Sequence, residues 1–95
     1  IGTDNVCDPF VPFGTFDPLE TMRIAWIAAH LTPEDWLDAI TTIPARALGL
    51  APARIAPGEP ADFLILPRPS LAEALTRSGI DRHVWRQGAA IRGKV

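Results

Sequence analysis

The chain has 95 residues, 9 basic against 11 acidic side chains for a net charge of −2, one cysteine, ten prolines and three tryptophans. Its scattered Lys and Arg leave no electrostatic footprint for nucleic acid, and no apolar run approaches the roughly 18 to 20 residues that span a bilayer. Apolar residues, at 47%, exceed what a disordered tail carries, and a single cysteine excludes an internal disulfide and fits a reducing, cytoplasmic compartment.

Residues 1–16 are rich in Pro, Gly, Asp and Asn, yet carry Val6, Phe10, Val11, Phe13 and Phe16. The pattern predicts a long ordered loop, a kind of segment that often carries function. Asp17-Pro18-Leu19-Glu20 places an acid at the N-cap, Pro at the first helical position and Glu at the third. A helix is expected from Pro18 to His30. Its stretch Ile24-Ala25-Trp26-Ile27-Ala28-Ala29 is apolar all round and calls for cover on more than one side. Thr32-Pro33-Glu34-Asp35 starts a second helix, carrying Trp36, Leu37 and Ile40 at helical spacing. Pro44 ends it and opens a short third helix to Leu48, with Gly49 at its C′ position.

Residues 51–60 hold three prolines and one glycine and mark a boundary. Beyond it, Asp62 to Leu66 reads as a short strand, and Ser70 caps a helix through Thr76. Arg82 to Arg86 and Ala89 to Arg92 flank Gln87-Gly88, a hairpin signal. No internal repeat is visible. The apolar spacing assigns Trp26, Trp36 and Trp85 to packing.

The chemical inventory is sparse. His30 closes a helix, where imidazole complements the orphan carbonyls, and His83 starts a strand; they make no ligand pair. Cys7 has no histidine placed to activate it and reads as a small buried hydrophobe. The informative cluster is Gly2-Thr3-Asp4-Asn5-Val6-Cys7-Asp8-Pro9-Phe10. Asp4 and Asn5 can form Asx turns, and Asp8 can set the turn before Pro9. Against the bland reading of Asp4, Ile1-Gly2-Thr3 has the character of the carboxyl end of a strand, and the mouth of a β/α sheet is where ligands gather.

Gly2-Thr3-Asp4-Asn5-Val6, with Asp8-Pro9-Phe10, Pro12 and Gly14, resembles the strand-eight segment of the cytosine deaminase branch of the amidohydrolase superfamily. Ile43-Pro44-Ala45-Arg46-Ala47-Leu48-Gly49-Leu50 resembles that superfamily's terminal barrel helix. Ile55, Gly58, Ala61-Asp62-Phe63 and Leu66 resemble the return into its small β-domain, and Val84, Gly88 and Ile91 the closing hairpin. The resemblance runs in order along essentially the whole chain.

It implies an α/β carboxy-terminal portion of a (β/α)8 TIM-barrel hydrolase acting on non-peptide C–N bonds. Residues 1–52 would be the end of the last barrel strand, the active-site loop and the helices after it; residues 53–95 would be part of the small β-sandwich. Asp4 falls on the carboxylate that ligates a divalent metal, Zn or Fe, and exchanges protons with water. Asn5 falls where the branch has an acidic residue facing the substrate's exocyclic amine. Phe10 falls where it has a ring-packing tryptophan. An amide offers a donor as well as an acceptor, and a phenyl ring has less area, so the expected substrates widen from cytosine to other cyclic amidine or amide rings. Asp62, in the Ala-Asp pair, is expected to be structural. A catalytic metal needs about three protein ligands, and this chain supplies one. The remaining ligands are expected in the rest of a parent enzyme, and the 95 residues alone are expected to be inactive. Amide-ring opening, a non-catalytic domain of the same fold, and homo-oligomerisation stay open.

Overall fold

The computed structural model describes residues 1–4, 6–9, 14–76 and 80–91. Helix α1 (Pro18–Ala29) begins where its cap signal sits: the Asp17 carboxylate accepts from the Leu19 N–H at 3.1 Å. Glu20 departs from the capping-box expectation. It reaches past the N-cap and accepts from the Thr15 N–H at 3.3 Å and the Thr15 hydroxyl at 3.0 Å. His30 ends α1 in the left-handed region at φ +58.

Helix α2 (Pro33–Trp36) is one turn long and tightens into a 3₁₀ turn over Leu37–Ala39. The change of pitch alters which residues share a face, and Trp36 is left 46% exposed rather than packed. Helix α3 (Thr42–Ala47) starts two residues before Pro44, whose missing N–H falls among the unpaired donors of the first turn. Gly49, at φ +72, gives α3 a two-bond C-terminal closure, with Gly49 N–H donating to Arg46 O and Leu50 N–H to Ala45 O. Helix α4 (Leu71–Leu75) is capped by the Ser70 hydroxyl, which accepts from the Glu73 N–H.

The strands β1 (Phe63–Ile65), β2 (His83–Arg86) and β3 (Ala89–Ile91) form one antiparallel sheet in that order. Gln87 and Gly88 both have positive φ, the geometry of a two-residue hairpin that follows the strands' twist. Arg92, the expected end of β3, lies outside the described residues. The Ala61-Asp62 pair holds this hairpin from the side: the Gln87 N–H donates to the Asp62 carboxylate at 2.7 Å and the Gly88 N–H to Ala61 O at 3.2 Å. Phe63 faces Trp85 across the β1–β2 register, with ring centroids 6.0 Å apart and nearly parallel.

The core is small and straddles the two halves: Leu19 and Met22 of α1 pack with Leu75 of α4, and Trp26, Ile40, Leu66, Leu71 and Ile80 surround them partly buried. The Arg23 side chain donates to Leu75 O at 2.7 Å, and Glu34 accepts from the Ala72 N–H at 2.9 Å, tying α1 and α2 to α4. One face of α1 is covered. Its other face is open, with Ile24 56% and Ile27 76% exposed, because the described elements supply nothing to lie against it.

Among the described residues, Ile1 to Asp4 pair with no strand. A parallel strand is made by its neighbours, and the described sheet is antiparallel and built entirely from residues beyond Pro60.

Candidate functional site

Asp4 is exposed and has φ +51, a left-handed conformation that aspartate tolerates better than most side chains. Cys7 also has φ +51. Cys7 opens a bend over residues 7–9; it is exposed, and its thiol donates to Gly14 O at 3.4 Å. The buried position expected for Cys7 is therefore corrected. Asp8 is half-buried and engaged in an interaction, in keeping with a loop-fixing side chain. Asn5 and Phe10 lie outside the described residues. His30 and His83 are exposed and far apart in the chain.

Near this bend the structure brings in Thr15 and Arg82, which local sequence patterns did not single out. The Thr15 hydroxyl donates to Glu20 and accepts from the Asp17 N–H at 3.3 Å. Asp17 is in turn gripped by Arg82, whose guanidinium meets the carboxylate with both terminal nitrogens, Nη1 to Oδ1 at 2.8 Å and Nη2 to Oδ2. The two side chains are only 14% and 8% exposed. Burial works against the charge on Asp17, but the Arg82 fork and the Leu19 N–H outweigh it and hold the carboxyl below its ordinary range. Arg82 is shifted the other way, further into its charged form, chiefly by the bond to Asp17. Arg82 carried no local signal because its partner is 65 residues earlier. The Asp17 cap was the half of the pair that the sequence displayed.

A concavity of about 1010 Å³ lies between α1, the 3₁₀ turn, α3 and the sheet, and Leu37, Ile40, Ile55, Leu64 and Ile91 contribute to its wall. Asp4 does not line it. Among the described residues, no three of His, Cys, Asp or Glu gather as a metal cage, and no helix is long and apolar enough to cross a membrane. An exposed carboxylate such as Asp4 fits one donor position of a divalent site; the chain's other described residues do not complete one.

Comparison with known proteins bears on which chemistry this turn belongs to. A pterin deaminase from Rhizobium rhizogenes (strain K84 / ATCC BAA-868) is 39% identical over 94 residues, an overlap covering 96% of this chain and 22% of that protein. The chain thus spans about a fifth of the length of the curated relative it matches. No solved structure matches. The model of the amidohydrolase family aligns with residues 1–91, from ahead of the Asp4 turn to the last strand of the sheet, and on that extent the chain belongs to the amidohydrolase family.

Proposed function

We propose that this chain is the part of a metal-dependent hydrolase that carries one catalytic carboxylate, Asp4, and that the whole protein is a hydrolytic deaminase of a cyclic amidine ring. The observation that carries the reading is the family match across residues 1–91, which includes the turn where Asp4 presents its carboxylate to solvent. The pterin deaminase relative supports deamination over ring opening. A pterin contains an aminopyrimidine ring, a cyclic amidine like that of cytosine but fused to a second ring. The substrate proposed is therefore an amino-substituted pyrimidine-type heterocycle, with the fused ring favoured over cytosine itself.

In this reading Ile1 to Asp4 is the end of the last strand of a TIM barrel, residues 1–52 carry the active-site loop and helices, and residues 53–95 belong to the small β-sandwich. Asp4 is one ligand of a divalent metal, Zn or Fe, with the other ligands in the remainder of the parent protein. Such an ion lowers the pKa of coordinated water toward neutrality. The Asp4 carboxylate accepts a proton as water attacks the amidine carbon, then returns it to the amine nitrogen as the C–N bond breaks and ammonia leaves. Asn5 and Phe10 shape the ring pocket, Asn5 toward the exocyclic nitrogen and Phe10 against the ring plane.

The test is ammonia release by the full-length protein, supplied with Zn or Fe, from pterin, cytosine and a cyclic amide. Ammonia from the amino heterocycles supports the reading; a ring-opened product from the amide identifies the other amidohydrolase reaction, and no turnover supports a non-catalytic domain. Asp4→Asn should lower kcat by several orders of magnitude while the protein stays folded. Turnover near wild type in Asp4→Asn would remove Asp4 from the mechanism.

A further inference from the structure

We propose that Arg82 is a positioning residue for the site that opens at Asp4, acting through Asp17 and Thr15; this rests on the deaminase reading above. The connection runs from Arg82 to Cys7. The Arg82 fork fixes both oxygens of Asp17, and the Asp17 N–H is held by the Thr15 hydroxyl, which is itself anchored on Glu20. Gly14, the residue before Thr15, lies against Glu20 and Val6: a Cβ at Gly14 would sit 3.6 Å from Glu20 Oε1 and 3.8 Å from Val6 Cγ1. Gly14 O receives the Cys7 thiol, three residues after Asp4. A side chain just before β2 is thus linked to Cys7, three residues after the proposed catalytic carboxylate.

Helix capping alone does not account for the pair. The cap needs one oxygen of Asp17 and is complete in its bond to the Leu19 N–H. Burying two charges carries a desolvation cost that their attraction offsets only in part, and buried pairs often stabilise no more than apolar residues of the same shape. What a two-pronged guanidinium–carboxylate bond adds is geometry, because both partners are held in plane and in distance. Arg82 is held in turn by its own Nε, which donates to Ile80 O at 3.1 Å. The segment so fixed is Thr15 to Asp17, next to the Gly14 carbonyl that receives the Cys7 thiol.

Asp17→Asn separates the two roles, since asparagine caps a helix as well as aspartate but cannot complete the charged fork. In the full-length metal-loaded protein with pterin as substrate, Asp17→Asn and Arg82→Lys should each raise KM at least tenfold with a smaller change in kcat. The double variant should be no worse than either single one. The alkylation rate of Cys7 by iodoacetamide, read by mass spectrometry of its peptide well below each variant's Tm, should rise at least threefold. Thr15→Val, which removes the bridging hydroxyl from an exposed position, should reproduce a smaller part of both effects and serves where a pin variant fails to fold.

A lower Tm with KM and Cys7 reactivity within twofold of wild type would make the pair purely structural and overturn the proposal. Failure of the underlying reading looks different: turnover then survives Asp4→Asn, or wild type shows none. In that event Cys7 reactivity alone decides whether Arg82 controls the turn, and an unchanged rate overturns it.

Discussion

At the scale of single residues, Asp4 and Asp17 are two carboxylates with opposite surroundings. Asp4 is open to solvent, whereas Asp17 is the buried charged group among the described residues. Its folded-state carboxyl lies below the ordinary aspartate value of 3.8, so ionised Asp17 adds to stability at neutral pH. That contribution is complete above the unfolded value and fades as pH falls through the lower folded one. Wild type should therefore unfold at higher denaturant than Asp17→Asn at pH 7, and the gap should close as pH is taken from 3.8 downward. Chemical denaturation at several pH values measures it; a gap that widened in acid would contradict the bond to Arg82. The proposal for Asp4 rests on its neighbours in the chain, Gly2-Thr3 before it and Asp8-Pro9 after it. Arg82 was not legible in the sequence, because a bond across 65 residues leaves no periodic or local trace.

At the scale of elements, most boundaries follow from caps and turn residues, whose preferences act within a few residues. Asp17, Ser70, Gly49 and Gln87-Gly88 all sit where their chemistry predicts. Position 49 allows a clean check, since a Cβ there would meet nothing within 4 Å and the only cost is the left-handed backbone. Gly49→Ala should destabilise the protein by about 1 kcal/mol, read as a shift in denaturation midpoint. Asp62 is the element-scale counterpart of Asp17, an acid whose job is another segment's backbone. Its bond to the Gln87 N–H pins the β2–β3 turn to the start of β1, which explains an Ala-Asp pair at that place without any chemistry at the site. Asp62→Ala should cost about 1 kcal/mol of stability and leave kcat/KM unchanged in the full-length protein. A large loss of kcat/KM at unchanged stability would give Asp62 a role at the site. Two misplaced expectations, Trp36 and Cys7, share one physical origin. Each sits where the backbone leaves regular helix or loop geometry, Trp36 at a change of helical pitch and Cys7 at positive φ, and a side chain's direction there is set by dihedrals that residue spacing does not reveal.

At the scale of the molecule, the apolar content of the sequence and the burial in the structure do not balance, and the mismatch has a physical consequence. Among the described residues, five apolar core side chains are buried, while thirteen large ones are exposed, among them Ile24, Ile27, Leu48, Leu50 and Ile55. The radius of gyration is 14.1 Å, against about 12 Å for a compact domain of this length. The sequence already carried half of this in the all-round apolar stretch of α1; which side would stay open depended on α4 and Leu75, some fifty residues away. Exposed aliphatic surface of this extent favours association, because water gains by its removal. The 95-residue chain by itself should accordingly self-associate or bind a hydrophobic dye, and Ile24→Lys with Ile27→Lys should reduce both. These positions are more than half exposed, so the double change should alter the stability of the chain by only about 0.5 kcal/mol per site. Sedimentation velocity across a concentration series measures the first effect and dye fluorescence the second. If the open face of α1 is instead covered in the full-length protein, the same two lysines there should lower Tm markedly. That contrast between the short chain and the full-length protein reads out, independently of any activity, whether the face of α1 is covered in the whole molecule.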